Sequence, residues 1–185
     1  MTLTVYVAFL RGINVGGKSK VPMAQLKACF EDMGFSNVRT YINSGNVIFT
    51  AADTNSRALE AVIEPALEKA FSFPITVVVR SMSEMEATMQ CVPKSWKGDA
   101  NTRYYILFLR HTIDKPDIIQ HMQPRAEVDD VSYGAGAVFW STPMNLRTKS
   151  SMQKIMATPL YKDITIRNAN TTRKVYELMS KPQQD

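Results

Sequence analysis

The chain has 185 residues, of which 45% are hydrophobic and 21% charged, with a formal net charge of +5, an ordinary composition for a globular protein of one large or two small domains. No apolar run approaches the roughly 20 residues of a membrane span, and the run Val5–Leu10 has no basic residue before it, so it reads as a first strand and not as a signal peptide. Two cysteines, Cys29 and Cys91, and two histidines far apart make neither a disulfide framework nor a metal-ligand cluster; the expected compartment is the cytoplasm, with no cofactor, no metal and no membrane partner.

Val5–Leu10 is the first predicted strand. Met23, Leu26, Phe30 and Met33 recur at helical spacing, with Pro22 as the first helical residue and Gly34 placed to end the helix. Residues 37–42 alternate as a strand, Asn43-Ser44-Gly45 turns, and residues 46–50 return, which predicts a hairpin. Leu59, Val62, Ile63, Leu67, Ala70 and Phe71 mark a second helix, which Pro65 should kink or divide after Glu64. Residues 75–79 form a buried strand. A spacer helix comes next, with Ser83 and Glu86 as a capping box, and then a polar, Trp-containing linker over 93–101. The order then repeats: a strand over 104–109, a helix over 115–122, a hairpin of 128–133 and 137–141 around Gly134-Ala135-Gly136, a short helix over 151–157, a strand over 164–167 and a closing helix over 171–179.

This order predicts an α+β protein of two tandem ferredoxin-like (βαββαβ) units with antiparallel or mixed sheets. The first unit covers 1–80, a spacer helix and linker 81–101, and the second unit with its terminal helix 102–185.

Residues 12–19 read G-I-N-V-G-G-K-S, which matches the phosphate-loop pattern of nucleotide-binding proteins. Three features argue against a nucleotide enzyme. In such loops the helix starts at the Gly-Lys-Ser, so that its first amides meet the phosphates; here Pro22 would then fall inside the helix, at a cost of roughly 3 kcal/mol. No acid stands at the tip of the other buried strands to hold magnesium. The hairpins give an antiparallel or mixed sheet, where phosphate-loop enzymes need a mainly parallel one.

The same loop remains a candidate for binding a small anion. In a βαββαβ unit the 11–20 loop and the 43–46 hairpin share one edge of the sheet, and the third strand lies beside the first. Arg11, Asn14, Gly16, Gly17, Lys18, Asn43, Ser44 and Asn46 are therefore the candidate binding residues, with cations, amides and open glycine backbone suited to phosphate or carboxylate. Turn chemistry alone is the competing explanation for Asn43 and Gly45. Arg11→Ala and Asn46→Ala are expected to leave folding intact. Residues 1–30 carry Arg11, Lys18, Lys20 and Lys27 and no acid, and a second basic stretch lies over 145–174. There Arg147, Lys149, Arg167, Asn168 and Asn170 form a second candidate site, with Thr171 capping the closing helix; helix capping plus surface charge is the plainer account.

No residue constellation assigns a reaction. The alternative to the small-ligand reading is a single-stranded RNA-binding module, because ferredoxin-like sheets stack bases on aromatics of their first and third strands. Tyr6 and Phe9 fit the first strand, but Val47 and Phe49 of the third look like packing.

The segments F-L-R-G-I-N-V-G-G-K-S-K-V-P-M (9–23), Y-I-N-S-G-N-V-I-F (41–49) and R-N-A-N-T (167–171) resemble an uncharacterised family of bacterial proteins known as domain of unknown function 1697. The resemblance spans nearly the whole chain and implies a duplicated ferredoxin-like fold without an activity or substrate. In the third segment Ala169 stands where the family pattern has Trp.

Overall fold

The computed structural model describes residues 2–181. The chain divides into two compact units, formed by the described residues of Met1–Met85 with Lys174–Asp185, and by Glu86–Arg173. The first unit contains β1 (Leu3–Leu10), α1 (Met23–Asp32), β2 (Ser36–Tyr41), β3 (Asn46–Ala52), α2 (Ser56–Phe71) and β4 (Val77–Ser81). After α3 (Met82–Gln90) come β5 (Thr102–Leu109), α4 (Ile118–Met122), β6 (Asp130–Gly134), β7 (Ala137–Pro143), α5 (Met152–Ile155), β8 (Ile164–Asn168) and α6 (Ala169–Ser180). The architecture is α+β, with two four-stranded sheets in the orders β2-β3-β1-β4 and β6-β7-β5-β8. Every strand pairing in them is antiparallel.

Alternation along β1 decides which residues fill the first core. Tyr6, Ala8 and Leu10 share a face with Val47, Phe49, Val77 and Val79, and that face packs on Leu26 and Phe30 of α1 and on Leu59, Ile63 and Leu67 of α2. Phe49 is the centre of an aromatic group: Phe35, Phe30 and Tyr6 lie 4.6, 5.3 and 5.7 Å from it, centroid to centroid. The opposite face, with Val7, Phe9, Ile48 and Val78, is buried as well. In the second unit Leu107, Leu109, Val138, Trp140 and Ile164 pack on Ile118, Met122 and Ile155.

The two sheets share a register. Tyr6 stands opposite Phe49 and Val7 opposite Arg80, as Tyr105 stands opposite Trp140 and Ile106 opposite Arg167. The ends of the central strands also match. The Leu10 N–H donates to the Gly45 carbonyl at 2.8 Å and the Leu109 N–H to the Gly136 carbonyl at 3.0 Å. The Arg11 N–H donates to the Thr76 carbonyl and the Arg110 N–H to the Asp163 carbonyl, each at 2.9 Å.

Several local expectations are corrected. Of the two effects expected of Pro65, division does not occur, since α2 runs unbroken from Ser56 to Phe71; Pro65 and the residue four before it, Ala61, are both exposed, so water can satisfy the carbonyl that proline leaves without a donor. The capping box of α3 is Ser81 with Glu84, not Ser83 with Glu86: the Glu84 carboxylate accepts the Ser81 N–H at 2.7 Å and Ser81 Oγ accepts the Glu84 N–H at 3.2 Å. Strand β4 starts at Val77 rather than Ile75, and α4 is shorter than 115–122 because turns through Lys115 and Asp117 precede it. Trp96 of the supposedly polar linker is buried, 5.0 Å from the Tyr104 ring. The 142–150 segment holds a 3-10 turn over Met144–Lys149, and a second covers Pro159–Asp163. Helix α6 begins at Ala169, so its first-turn amide is capped by Asn168, whose Oδ1 accepts the Asn170 N–H at 2.8 Å, and not by Thr171.

Candidate functional site

The chain leaves β1 at Leu10 and reaches α1 at Met23 through a loop whose shape is set by its own hydrogen bonds. Gly16 and Gly17 both have positive φ, +60° and +75°, as the central residues of a type I′ turn require. Val15 and Lys18 bridge across that turn, with the Lys18 N–H donating to the Val15 carbonyl at 3.2 Å. The Asn14 N–H closes the next ring on the Ser19 carbonyl at 3.0 Å.

Asn14 is the clamp of this loop. Its Nδ2 donates to the Val21 carbonyl at 3.0 Å and to the Asn43 carbonyl at 2.9 Å, and its Oδ1 accepts the Val21 N–H at 2.8 Å. One side-chain amide thus holds the loop's exit and ties it to the 43–46 hairpin. Gly45 is the other point of contact. It has φ +80°, and a Cβ there would lie 2.7 Å from Ile13 Cδ1 and 2.8 Å from Leu10 Cβ. Only glycine lets the hairpin approach the loop this closely.

Between these elements lies an open cavity of about 400 Å3, lined by Asn14, Gly17, Lys18, Lys20, Val21, Pro22, Met23 and Asn43. Lys18 and Lys20 are exposed, and so are Asn14, Gly17 and Asn43. Pro22 occupies the cap position of α1 and gives it no side-chain cap, and no acid stands in the first turn. The helix starts at Met23 and not at Gly17, so Lys18 precedes it by a full turn of loop.

Of the residues expected here, Asn14, Gly17, Lys18 and Asn43 come together around the cavity, and Gly16 is at the turn beside them. Arg11 is directed elsewhere, with Nη2 3.4 Å from Thr76 Oγ1. Ser44 Oγ accepts from Asn46 Nδ2 at 3.0 Å, and the same Nδ2 donates to the Tyr41 carbonyl at 2.9 Å. Asn46 is fully buried, so it closes the hairpin from inside; Asn46→Ala will cost stability instead of leaving folding intact. Lys20, Val21, Pro22 and Met23 were missed as lining residues. The signal was the unbroken stretch from a basic loop into an uncapped helix.

The residues of the second candidate site differ in exposure. Arg147, Lys149 and Asn170 are exposed, and Asn168 is occupied by its cap. Arg167 is buried, its Nη1 donating to the Ile166 carbonyl at 3.0 Å, and burial lowers its pKa to about 10. The polar centre of this unit is instead Asp129, which sequence spacing does not single out. Asp129 Oδ1 accepts from Ser150 Oγ, Thr142 Oγ1 and Trp140 Nε1 at 2.5, 2.9 and 3.1 Å. Its Oδ2 accepts the backbone N–H groups of Ser151 and Arg125 at 3.0 and 3.1 Å. Burial pushes the carboxyl pKa up, but these donors, Ser150 first, outweigh it and hold it below the usual value.

Among the described residues no group of His, Cys, Asp and Glu is placed to hold a metal ion, and no helix is long and apolar enough to cross a membrane.

A family model described as "Protein of unknown function (DUF1697)" matches residues 3–140, a span that contains the whole loop, cavity and hairpin. Among solved structures, the chain is similar to the conserved bacterial protein SP0830 from Streptococcus pneumoniae, with a TM-score of 0.84 and 31% sequence identity over 97% of this chain and 100% of that one. No curated protein matches the chain.

Proposed function

The chain belongs to the family described as Protein of unknown function (DUF1697), and from its site we propose that it binds a small anionic ligand, phosphate- or carboxylate-bearing, in the cavity between the 11–20 loop and the 43–46 hairpin. The observation that carries this reading is the pairing of two exposed lysines, Lys18 and Lys20, with a cavity whose frame is already locked by the Asn14 amide. A locked frame lowers the ordering cost of binding. The first-turn amides of α1 add a favourable field for negative charge, since neither a capping side chain nor an acid offsets it.

Isothermal titration with inorganic phosphate tests the reading. A hydrogen bond to a charged group contributes about 1.5–3 kcal/mol, so Lys18→Ala and Lys20→Ala should each weaken binding by roughly tenfold or more with the circular dichroism spectrum unchanged. Binding that ignores both substitutions would overturn it.

The alternatives have less support. Tyr6, Phe9 and Phe49, the aromatics a stacked base would need, are all fully buried, which weighs against RNA binding on the first sheet. The antiparallel sheet and the late start of α1 weigh against a nucleotide enzyme. We also read each unit as ferredoxin-like, a tandem pair supported by the shared strand order and register, and the protein as cytoplasmic, supported by Cys29 and Cys91 both standing as free thiols.

A further inference from the structure

We infer that the ligand of this cavity is amphipathic: an acidic head, phosphate or carboxylate, on a hydrocarbon body the size of a ring or a short chain. The inference rests on the anion site just proposed and names the class of its occupant.

The cavity is too large for a bare anion. Its volume of about 400 Å3 falls within the roughly 300–1,000 Å3 of pockets that enclose drug-sized molecules. Its walls are also of two kinds. Lys18 and Lys20 supply charge, while the exposed Pro22 and the half-buried Met23 supply hydrocarbon surface.

The third observation is Ile42. Its backbone lies in the left-handed region, at φ +50°, and 48% of its surface is exposed. A β-branched residue is a true outlier there, where asparagine or glycine is at ease. The position therefore carries backbone strain and an exposed apolar side chain together. Ile42 directly precedes Asn43, which lines the cavity. On the loop side Val15, 66% exposed, directly follows Asn14, which also lines it. The 2.9 Å hydrogen bond from Asn14 to the Asn43 carbonyl joins these two places. A single exposed apolar residue needs no explanation, but a strained one next in sequence to a lining residue does. A hydrocarbon body long enough to reach past Asn14 and Asn43 would give Val15 and Ile42 a partner.

The test is titration of the full chain with inorganic phosphate, phenyl phosphate and phenylacetate, on wild type, Lys18→Ala and Ile42→Asn. At least one phenyl probe should bind about tenfold tighter than phosphate, from the apolar surface its ring buries, and the better probe identifies the head group. Ile42→Asn should remove most of that gain, leave phosphate binding unchanged and raise the melting temperature, because asparagine tolerates the left-handed backbone. If phosphate binds through Lys18 but neither phenyl probe binds more tightly, the amphipathic assignment is overturned and the anion site stands. An Ile42→Asn variant that keeps the full gain also overturns it. If no probe shows Lys18-dependent binding, both readings fall.

Discussion

Glu60 of α2 accepts the backbone N–H of Val79 at 2.9 Å, and one helical turn further on Glu64 accepts the N–H of Val77 at 2.8 Å. Strand β4 is an edge of the first sheet, so its alternate amides face away from β1. The spacing makes the match: residues four apart on a helix advance ~6 Å, and residues two apart on a strand advance ~6.8 Å. Two carboxylates therefore close an edge that would otherwise invite pairing with another chain.

Glu60→Ala should cost about 1–3 kcal/mol in urea unfolding, because the buried Val79 amide loses its acceptor. Glu60→Gln keeps an acceptor oxygen and should stay close to wild type. Glu60→Ala with Glu64→Ala should add concentration-dependent association by light scattering; a monodisperse double variant would show that the carboxylates do not guard the edge.

Gly45→Ala should be far more damaging than Gly16→Ala, although both glycines have positive φ. At Gly16 a Cβ meets nothing within 4 Å, so only the left-handed penalty of about 1–2 kcal/mol applies. At Gly45 the 2.7 Å approach to Ile13 adds an overpacking cost of about 1–3 kcal/mol. Equal stabilities in thermal unfolding would contradict the close-contact account.

Asp129 should make the protein acid-sensitive. Its folded pKa is depressed, so its stabilisation is present above the unfolded value of about 3.9 and is lost as pH falls through the lower folded value. Asp129→Asn keeps one acceptor for the two backbone N–H groups but turns the other into a donor facing the Trp140 Nε1–H, and should cost about 1–3 kcal/mol at pH 7. The variant should also show a shallower loss of stability below about pH 4; an unchanged acid slope would assign the sensitivity to other carboxylates.

Element order and sheet pairing were legible in the sequence because β1, β3, β5 and β7 are apolar runs bounded by turn residues. The shared edge of loop and hairpin came from chain direction alone. Individual side chains were not legible, because their fate depends on contacts that spacing does not encode. Asn14 and Asn46 look alike in sequence, yet one clamps an exposed loop and the other is buried under a hairpin. Arg167 reads as surface charge and lies in the interior. Asp129 gathers donors from three separate segments, and its sequence neighbours give no hint of them.

The matched hydrogen bonds at the ends of β1 and β5 give the molecule an internal reference. Leu10, Arg11 and Gly45 make the same backbone contacts as Leu109, Arg110 and Gly136, so the corner itself is common to both units. The residues that lead out of the corner differ: a glycine turn with two lysines in one unit, Thr112 to Asp117 in the other. Exchanging residues 12–22 for their counterpart between Arg110 and Ile118 would then move the glycine turn and both lysines while Met23, Asn43 and Ile42 stay behind, which separates the loop's share of any ligand preference from that of the rest of the corner.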